Sequence, residues 1–248
     1  MYHPTRRTLL LGGLCLALPP VAVRASARPE FEFEAIAPGI WRHVSWLQLP
    51  SGGWFPSNAV VIAGRQRILM VDTAWTPDQT TLLLDRLAAV APDLPIDLFV
   101  THRHDDRMGG LAVTKARGIR SFAFAPTVAE ARRESKGIID SLLPSNAYRF
   151  DLGGREVEVY YPGPGHTVDN SVAYDRSSRT LFGGCLVRAL RFKDLGNVAD
   201  AVVARWGDSV ERVEKRYPDA RRVIPGHGDP GDIALLAHTR ALARARDA

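Results

Sequence analysis

Six side chains of metal-ligating type fall in four short segments, each following a run of apolar residues. His102, His104 and Asp106 lie in His102-Arg103-His104-Asp105-Asp106-Arg107, His166 in Pro162-Gly163-Pro164-Gly165-His166-Thr167, Cys185 in Gly183-Gly184-Cys185, and His227 in Pro225-Gly226-His227-Gly228. Imidazole nitrogen, carboxylate oxygen and thiolate sulfur are donors that zinc takes. Two histidines two apart are common by chance; the pair gains weight because three further Gly-rich turns each add one ligand-type residue. Structural zinc sits in a closed tetrahedron. Six candidates are too many for one such site and too few for two, which leaves a coordination position for water, and that open position argues for catalysis.

The elements that must position these residues alternate between strand-like and helix-like segments. Ile40 to Leu49, Asn58 to Ile62 and Ile68 to Asp72 are predicted as a meander of strands, with Gly64-Arg65-Gln66 turning the chain. Thr76 and Pro77 open a helix through about Val90. Ile96 to Thr101 is a continuous apolar strand, and alternation at its end is expected to place His102 and His104 on one side, with Met108-Gly109-Gly110 heading a helix. In the second half Glu156 to Tyr161, Ser171 to Asp175, Thr180 to Gly183 and Arg222 to Ile224 are predicted strands. Ser209 to Tyr217 and Ile233 to Ala245 are predicted helices. The order of elements suggests two sheets face to face with helices outside; periodicity alone supports only a mixed α/β domain. His43 and His238 are expected on helix faces, structural or solvated.

The chain has 248 residues, 46% of them hydrophobic and 24% charged, which excludes a disordered, collagenous or coiled-coil protein. Its net charge of +5 is concentrated at the start: Arg6, Arg7 and Arg24 lie in an acid-free leader. The remainder is close to balance, too little to argue for nucleic acid or an anionic membrane. Residues 1–27 read as a secretory signal peptide, with basic Thr5-Arg6-Arg7, an apolar stretch from Leu9 to Val23, and the small-x-small triplet Ala25-Ser26-Ala27. The stretch is broken by Gly12-Gly13 and Pro19-Pro20, so no stable membrane anchor is expected. Either the general or the twin-arginine route fits, and Cys15 follows Leu14, which speaks against lipid attachment. The expected organisation is a leader over 1–27 and one domain over 28–248, monomeric and periplasmic. Cleavage would leave Cys185 as the mature chain's lone cysteine, a buried hydrophobe or a metal thiolate.

From about Ile40 to the C-terminus the order His-x-His-x-Asp, His, Cys, His resembles that of the metallo-β-lactamases, zinc enzymes with a four-layer αββα sandwich. Related two-zinc hydrolases carry a histidine after the aspartate; here Arg107 stands there, and a guanidinium, with donors only, cannot ligate. The resemblance implies two zinc ions, the first held by His102, His104 and His166, the second by Asp106, Cys185 and His227. Arg107 is expected beneath the site as a cation orienting Asp106; the alternative is a solvated arginine at a helix start, where the helix dipole disfavours it.

The same resemblance implies hydrolysis of the β-lactam ring of penicillins, cephalosporins and carbapenems by a metal-bound hydroxide, giving antibiotic resistance, with Asp106 orienting the nucleophile. Asn197 matches an asparagine that helps the oxyanion, or forms an ordinary Asx turn. Arg188, where the family often has lysine, would receive the substrate carboxylate, with Arg191 and Lys193 as fallback cations. Trp54 and Phe55 resemble a mobile hairpin that closes over the apolar part of the antibiotic; Trp75 lines the same cavity or lies in the core. Asp72 is assigned to strand-end hydrogen bonding, Thr73 and Thr101 to structure. Two alternatives stand beside this reading: a zinc hydrolase of the same fold acting on a thioester, lactone or phosphoester, and a non-catalytic zinc-binding module.

Overall fold

The structure, a computed structural model, describes residue 27 and residues 29–247. The expected leader, apart from Ala27, lies outside the described residues, as does Cys15.

An antiparallel meander of β1 (Glu32–Ala37), β2 (Ile40–Gln48), β3 (Trp54–Ala63) and β4 (Ile68–Val71) starts the first sheet. Helix α1 (Pro77–Val90) then carries the chain to β5 (Ile96–Phe99), which pairs parallel to β4. After α2 (Asp105–Met108) and α3 (Leu111–Ala116) come β6 (Arg120–Ala123), α4 (Ala125–Arg133) and β7 (Ser141–Leu142), which complete seven strands in chain order. Strands β8 (Ala147–Asp151), β9 (Glu156–Tyr160), β10 (Val172–Asp175), β11 (Thr180–Gly184) and β12 (Arg222–Pro225) form the second sheet, in the order β12-β11-β10-β9-β8. Helices α5 (Val203–Arg216) and α6 (Ala234–Asp247) belong to this half.

Strand alternation builds three apolar layers from these sequences. Val60, Ile62, Leu69, Val71 and Phe99 point between the sheets, where they meet Val157, Val159, Ala173, Phe182 and Ile224. Their neighbours Val61, Ile68, Met70, Leu98 and Val100 point the other way, onto Leu83, Leu84 and Leu87 of α1. In the second sheet Val172, Tyr174, Leu181 and Val223 pack on Trp206, Val210 and Val213, one face of α5. The central strands are thus buried on both faces, about 1.5–3 kcal/mol per large aliphatic side chain. Helix, sheet, sheet, helix is the αββα sandwich.

Helix α1 has the predicted limits; other boundaries differ for local reasons. The helix expected at Met108-Gly109-Gly110 is two short helices, α2 beginning at Asp105 and α3 at Leu111. Gly109 and Gly110 lie between them, where a Cβ would run into the Trp75 carbonyl and the Thr80 side chain. Strand β5 ends at Phe99, so His102 and His104 are brought together by the connection after the strand rather than by strand alternation. Leu49 and Gly53 close a tight turn between β2 and β3, and Trp54 and Phe55 are β3 residues paired with Gln48 and Leu47. His43 lies on strand β2, not a helix, while His238 is on α6.

Candidate metal centre

The four ligand-bearing segments meet at one end of the sandwich. His104 is the residue before α2, which puts Asp106 in the helix's first turn; Cys185 and His227 directly follow β11 and β12 and their glycines. His104 Nδ1 lies 3.2 Å from both His102 Nε2 and His166 Nε2, with the three rings nearly perpendicular to one another. Beside them Asp106 Oδ2, Cys185 Sγ and His227 Nε2 form a second triad, with separations of 3.3 to 3.4 Å. His102 also groups with His166 and Cys185, so the triads adjoin.

Outer hydrogen bonds aim the lone pairs inward. Thr101 gives its hydroxyl proton to Asp72 Oδ2 (2.8 Å), so its oxygen accepts from His102 Nδ1 at 3.3 Å and leaves Nε2 as a donor to an ion. His104 Nε2 donates to Asp200 Oδ2 (3.0 Å), which frees Nδ1; His227 Nδ1 donates to the Pro56 carbonyl (2.7 Å), which presents Nε2. Such partners fix tautomer and ring orientation at metal sites. Burial depresses His102 far below the usual histidine range and His166 to about 3, so both are neutral. Burial also opposes charge on His227, but the Cys185 sulfur and Asp106 carboxylate outweigh it and hold that imidazolium up to about 10. Converging lone pairs on one side and a proton trapped between a sulfur and a carboxylate on the other are the environment a pair of cations fits.

Arg107 is fully buried beneath the second triad, so the solvated alternative does not hold. Its Nη2 lies 2.6 Å from Asp106 Oδ2, 3.0 Å from Cys185 Sγ and 3.2 Å from the Gly226 carbonyl; Nη1 donates to the Asn58 carbonyl (2.6 Å) and faces Asp72 at 3.5 Å. Burial would raise Asp106, yet Arg107 and His227 hold its carboxyl well below the usual range. A Cβ at residue 226 would sit 2.6 Å from Cys185 Sγ and 2.7 Å from Arg107 Nη2, so only glycine lets the loop pass. Asp72 takes both Thr101 donors at the strand end, and Thr73 bonds the Arg107 carbonyl, as expected for structural residues.

A cleft of about 330 Å³ opens over the ligands. Phe55, Trp75, Arg188 and Asn197 line it, whereas Trp54, Arg191 and Lys193 do not. Trp75 is half-buried rather than core, and the Phe55 ring lies 4.7 Å from His227. Arg188 stacks its guanidinium on Phe192 (4.1 Å) and donates through Nε to the Asp194 carbonyl. Asn197 accepts from the Ala199 amide at 3.1 Å, an Asx turn, and lines the cleft.

Several residues of the site carry no local sequence signal. Asp200, the acceptor for His104, lies 96 residues away, and Asn58 clamps the His227 loop through the carbonyls of Pro225 and Gly228, 167 and 170 residues distant. Ser57 Oγ approaches Asp106 at 3.4 Å, and Lys136 and Asp105 pair at 2.7 Å on the cleft wall. The nearest signals are an Asp three residues after Asn197 and an Asp inside the His-x-His-x-Asp motif.

Residues 52–227 match the family model of the metallo-β-lactamase superfamily. A Bacillus cereus protein named metallo-β-lactamase type 2 is 35% identical, the alignment covering 96% of this chain and 99% of that one. A solved metallo-β-lactamase from Pontibacter korlensis superposes with a TM-score of 0.82 at 35% identity, over 87% of this chain and 99% of its own. The metallo-β-lactamase FIM-1 from Pseudomonas aeruginosa, solved in a mono-zinc form, superposes with a TM-score of 0.80 at 32% identity, over 88% and 97%. With its four-layer sandwich and its two adjoining ligand triads at one rim, the chain belongs to the metallo-β-lactamase superfamily.

Proposed function

We propose that this protein opens the β-lactam ring of penicillins, cephalosporins and carbapenems with two zinc ions. His102, His104 and His166 would hold one ion, and Asp106, Cys185 and His227 the other. The single observation that carries this is the convergence of six donor atoms in two adjoining triads, with the rings of His102, His104 and His227 turned toward them by hydrogen bonds to Thr101, Asp200 and Pro56 outside the cluster. Bound zinc supplies Lewis acidity and brings the pKa of its water down to about 7.

The chain's own residues account for the rest. Asp106 Oδ2 is taken up by Arg107 and the second triad, which leaves Oδ1 to orient the attacking water. Arg188 receives the carboxylate beside the lactam nitrogen; its Nε is already used on Asp194, so the terminal nitrogens make the contact. With Asn197 Oδ1 occupied by Ala199, Nδ2 is the atom that donates to charge developing on the lactam carbonyl oxygen. Phe55 and Trp75 cover the apolar part of the substrate, and Trp54 belongs to the same hairpin. The leader pattern of residues 1–27 supports export to the periplasm, and no helix among the described residues is long and apolar enough to cross a membrane.

Purified protein is expected to take up to two zinc ions and to open a chromogenic cephalosporin, with activity abolished by a chelator. Intact cephalosporin after incubation with zinc-loaded protein removes this reading and promotes a thioester, lactone or phosphoester substrate. A panel of penicillin, cephalosporin, carbapenem and monobactam then defines the range.

A further inference from the structure

Arg103 stands between two ligand-type histidines, and its side chain is only 4% exposed. Its backbone amide donates to Asp169 Oδ2 at 2.9 Å, and Nη1 reaches Asp169 Oδ1 at 3.5 Å; Asp169 is itself fully buried, three residues after His166. Nε donates to Glu134, at the end of α4, at 2.6 Å and faces Glu130 at 3.5 Å. Nη2 pairs with Asp200 Oδ1 at 2.9 Å, and the other oxygen of that carboxylate accepts from His104 Nε2 at 3.0 Å. One guanidinium therefore ties the His102–His104 turn to the His166 loop, to α4 and to the loop bearing Asn197.

We propose that Arg103 is a positioning residue for the histidine cluster, acting on His104 through Asp200 and on the His166 loop through Asp169. The Asp200 side chain is 44% exposed, so in isolation it would exchange its imidazole bond for water and for other rotamers. Held at one oxygen by a buried cation, it presents the other in a single orientation, and a planar fork with several donors suits that task better than a point charge. The inference rests on the reading above that His102, His104 and His166 hold a metal ion.

The test titrates the metal-free full chain with zinc against a chelator, and with cobalt(II), whose visible ligand-field bands report the histidine cluster and whose near-ultraviolet sulfur band reports Cys185. Arg103→Gln is expected to weaken metal at the histidine cluster about 10- to 100-fold, the range seen when outer partners of ligating histidines are removed, while the sulfur band titrates as before. Asp200→Ala is expected to reproduce that loss. The double variant is expected to fall within about twofold of the weaker single one, since the two residues act as a unit.

A loss below tenfold in Arg103→Gln, equal loss at both sites, or losses that multiply in the double variant overturns the proposal. Should Arg103→Gln fail to fold, Asp200→Asn decides: it keeps an oxygen for His104 but loses the ion pair, so unchanged affinity at the histidine cluster overturns the proposal and a loss approaching that of Asp200→Ala supports it. If the unsubstituted protein takes up no metal at the histidine cluster, the functional reading fails and this inference with it. If it does and Arg103→Gln matches it, this inference alone fails.

Discussion

Arg107 Nη2 and Cys185 Sγ stand 3.0 Å apart across 78 residues of sequence, the arginine fully buried and the cysteine buried to within 5% of its surface. The same guanidinium also pairs with Asp106 at 2.6 Å, so a single buried cation offsets two of the three groups in the second triad. Arg107→Ala leaves those groups and Asp72 buried without it, a change that costs on the order of 3–5 kcal/mol. Denaturant unfolding of the metal-free protein should show that loss. Arg107→Lys, which keeps the charge but not the fork, should recover part of it, and stabilities equal to the unsubstituted protein would refute the account.

Cys185→Ser keeps the size and loses the sulfur. Because the histidine cluster draws its donors from other segments, the variant should retain one zinc, bind the other at least about tenfold more weakly, and turn over more slowly. Metal analysis with chelator competition checks this; equal weakening of both ions contradicts the division into two triads.

Arg188→Ala removes the cation on the cleft wall without touching a ligand. The loss should appear as a KM raised about tenfold or more for carboxylate-bearing β-lactams, with kcat changed much less, because the contact is made in the ground state and the transition state alike. Steady-state kinetics decide: a fall in kcat at constant KM would place Arg188 elsewhere in the reaction.

His43 supplies a pH prediction away from the site. It is fully buried, stacked on Phe31, and neither ring nitrogen has a hydrogen-bond partner among the described residues. Burial first, then Arg107 and Arg42, push it down to about 3. The folded state keeps the imidazole neutral while the unfolded chain protonates it near 6.5, so stability is intact above that pH and is lost as pH falls toward 3. By pH 4.5 the loss is about 2–3 kcal/mol. In metal-free protein His102 and His166 add their own losses, so His43→Leu should lose about 2–3 kcal/mol less than the unsubstituted protein between pH 7 and 4.5, measured by denaturant unfolding. Parallel losses in both proteins would exclude His43 as a source of acid lability.

The amino-acid sequence determined the layers and the ligand types. Residues such as Val60, Val61 and Ile62 can be buried on opposite faces only by a strand within a stack, and His166, Cys185 and His227 each sit in a glycine-bearing turn beyond such a strand. Local chemistry also set α1, whose Pro77 start is written in the chain. Weakly apolar elements escaped: β1 places exposed Glu32 and Glu34 against Arg42, and β8 buries only Phe150. The tertiary structure alone decided which partners orient the ligands. Asp200 meets His104, Asn58 meets Gly228 and Arg107 meets Cys185 because sheet register and loop passage bring distant segments together. Hydrogen bonds act over about 3 Å, so a partner distant in sequence leaves no pattern there until packing has fixed where both ends lie.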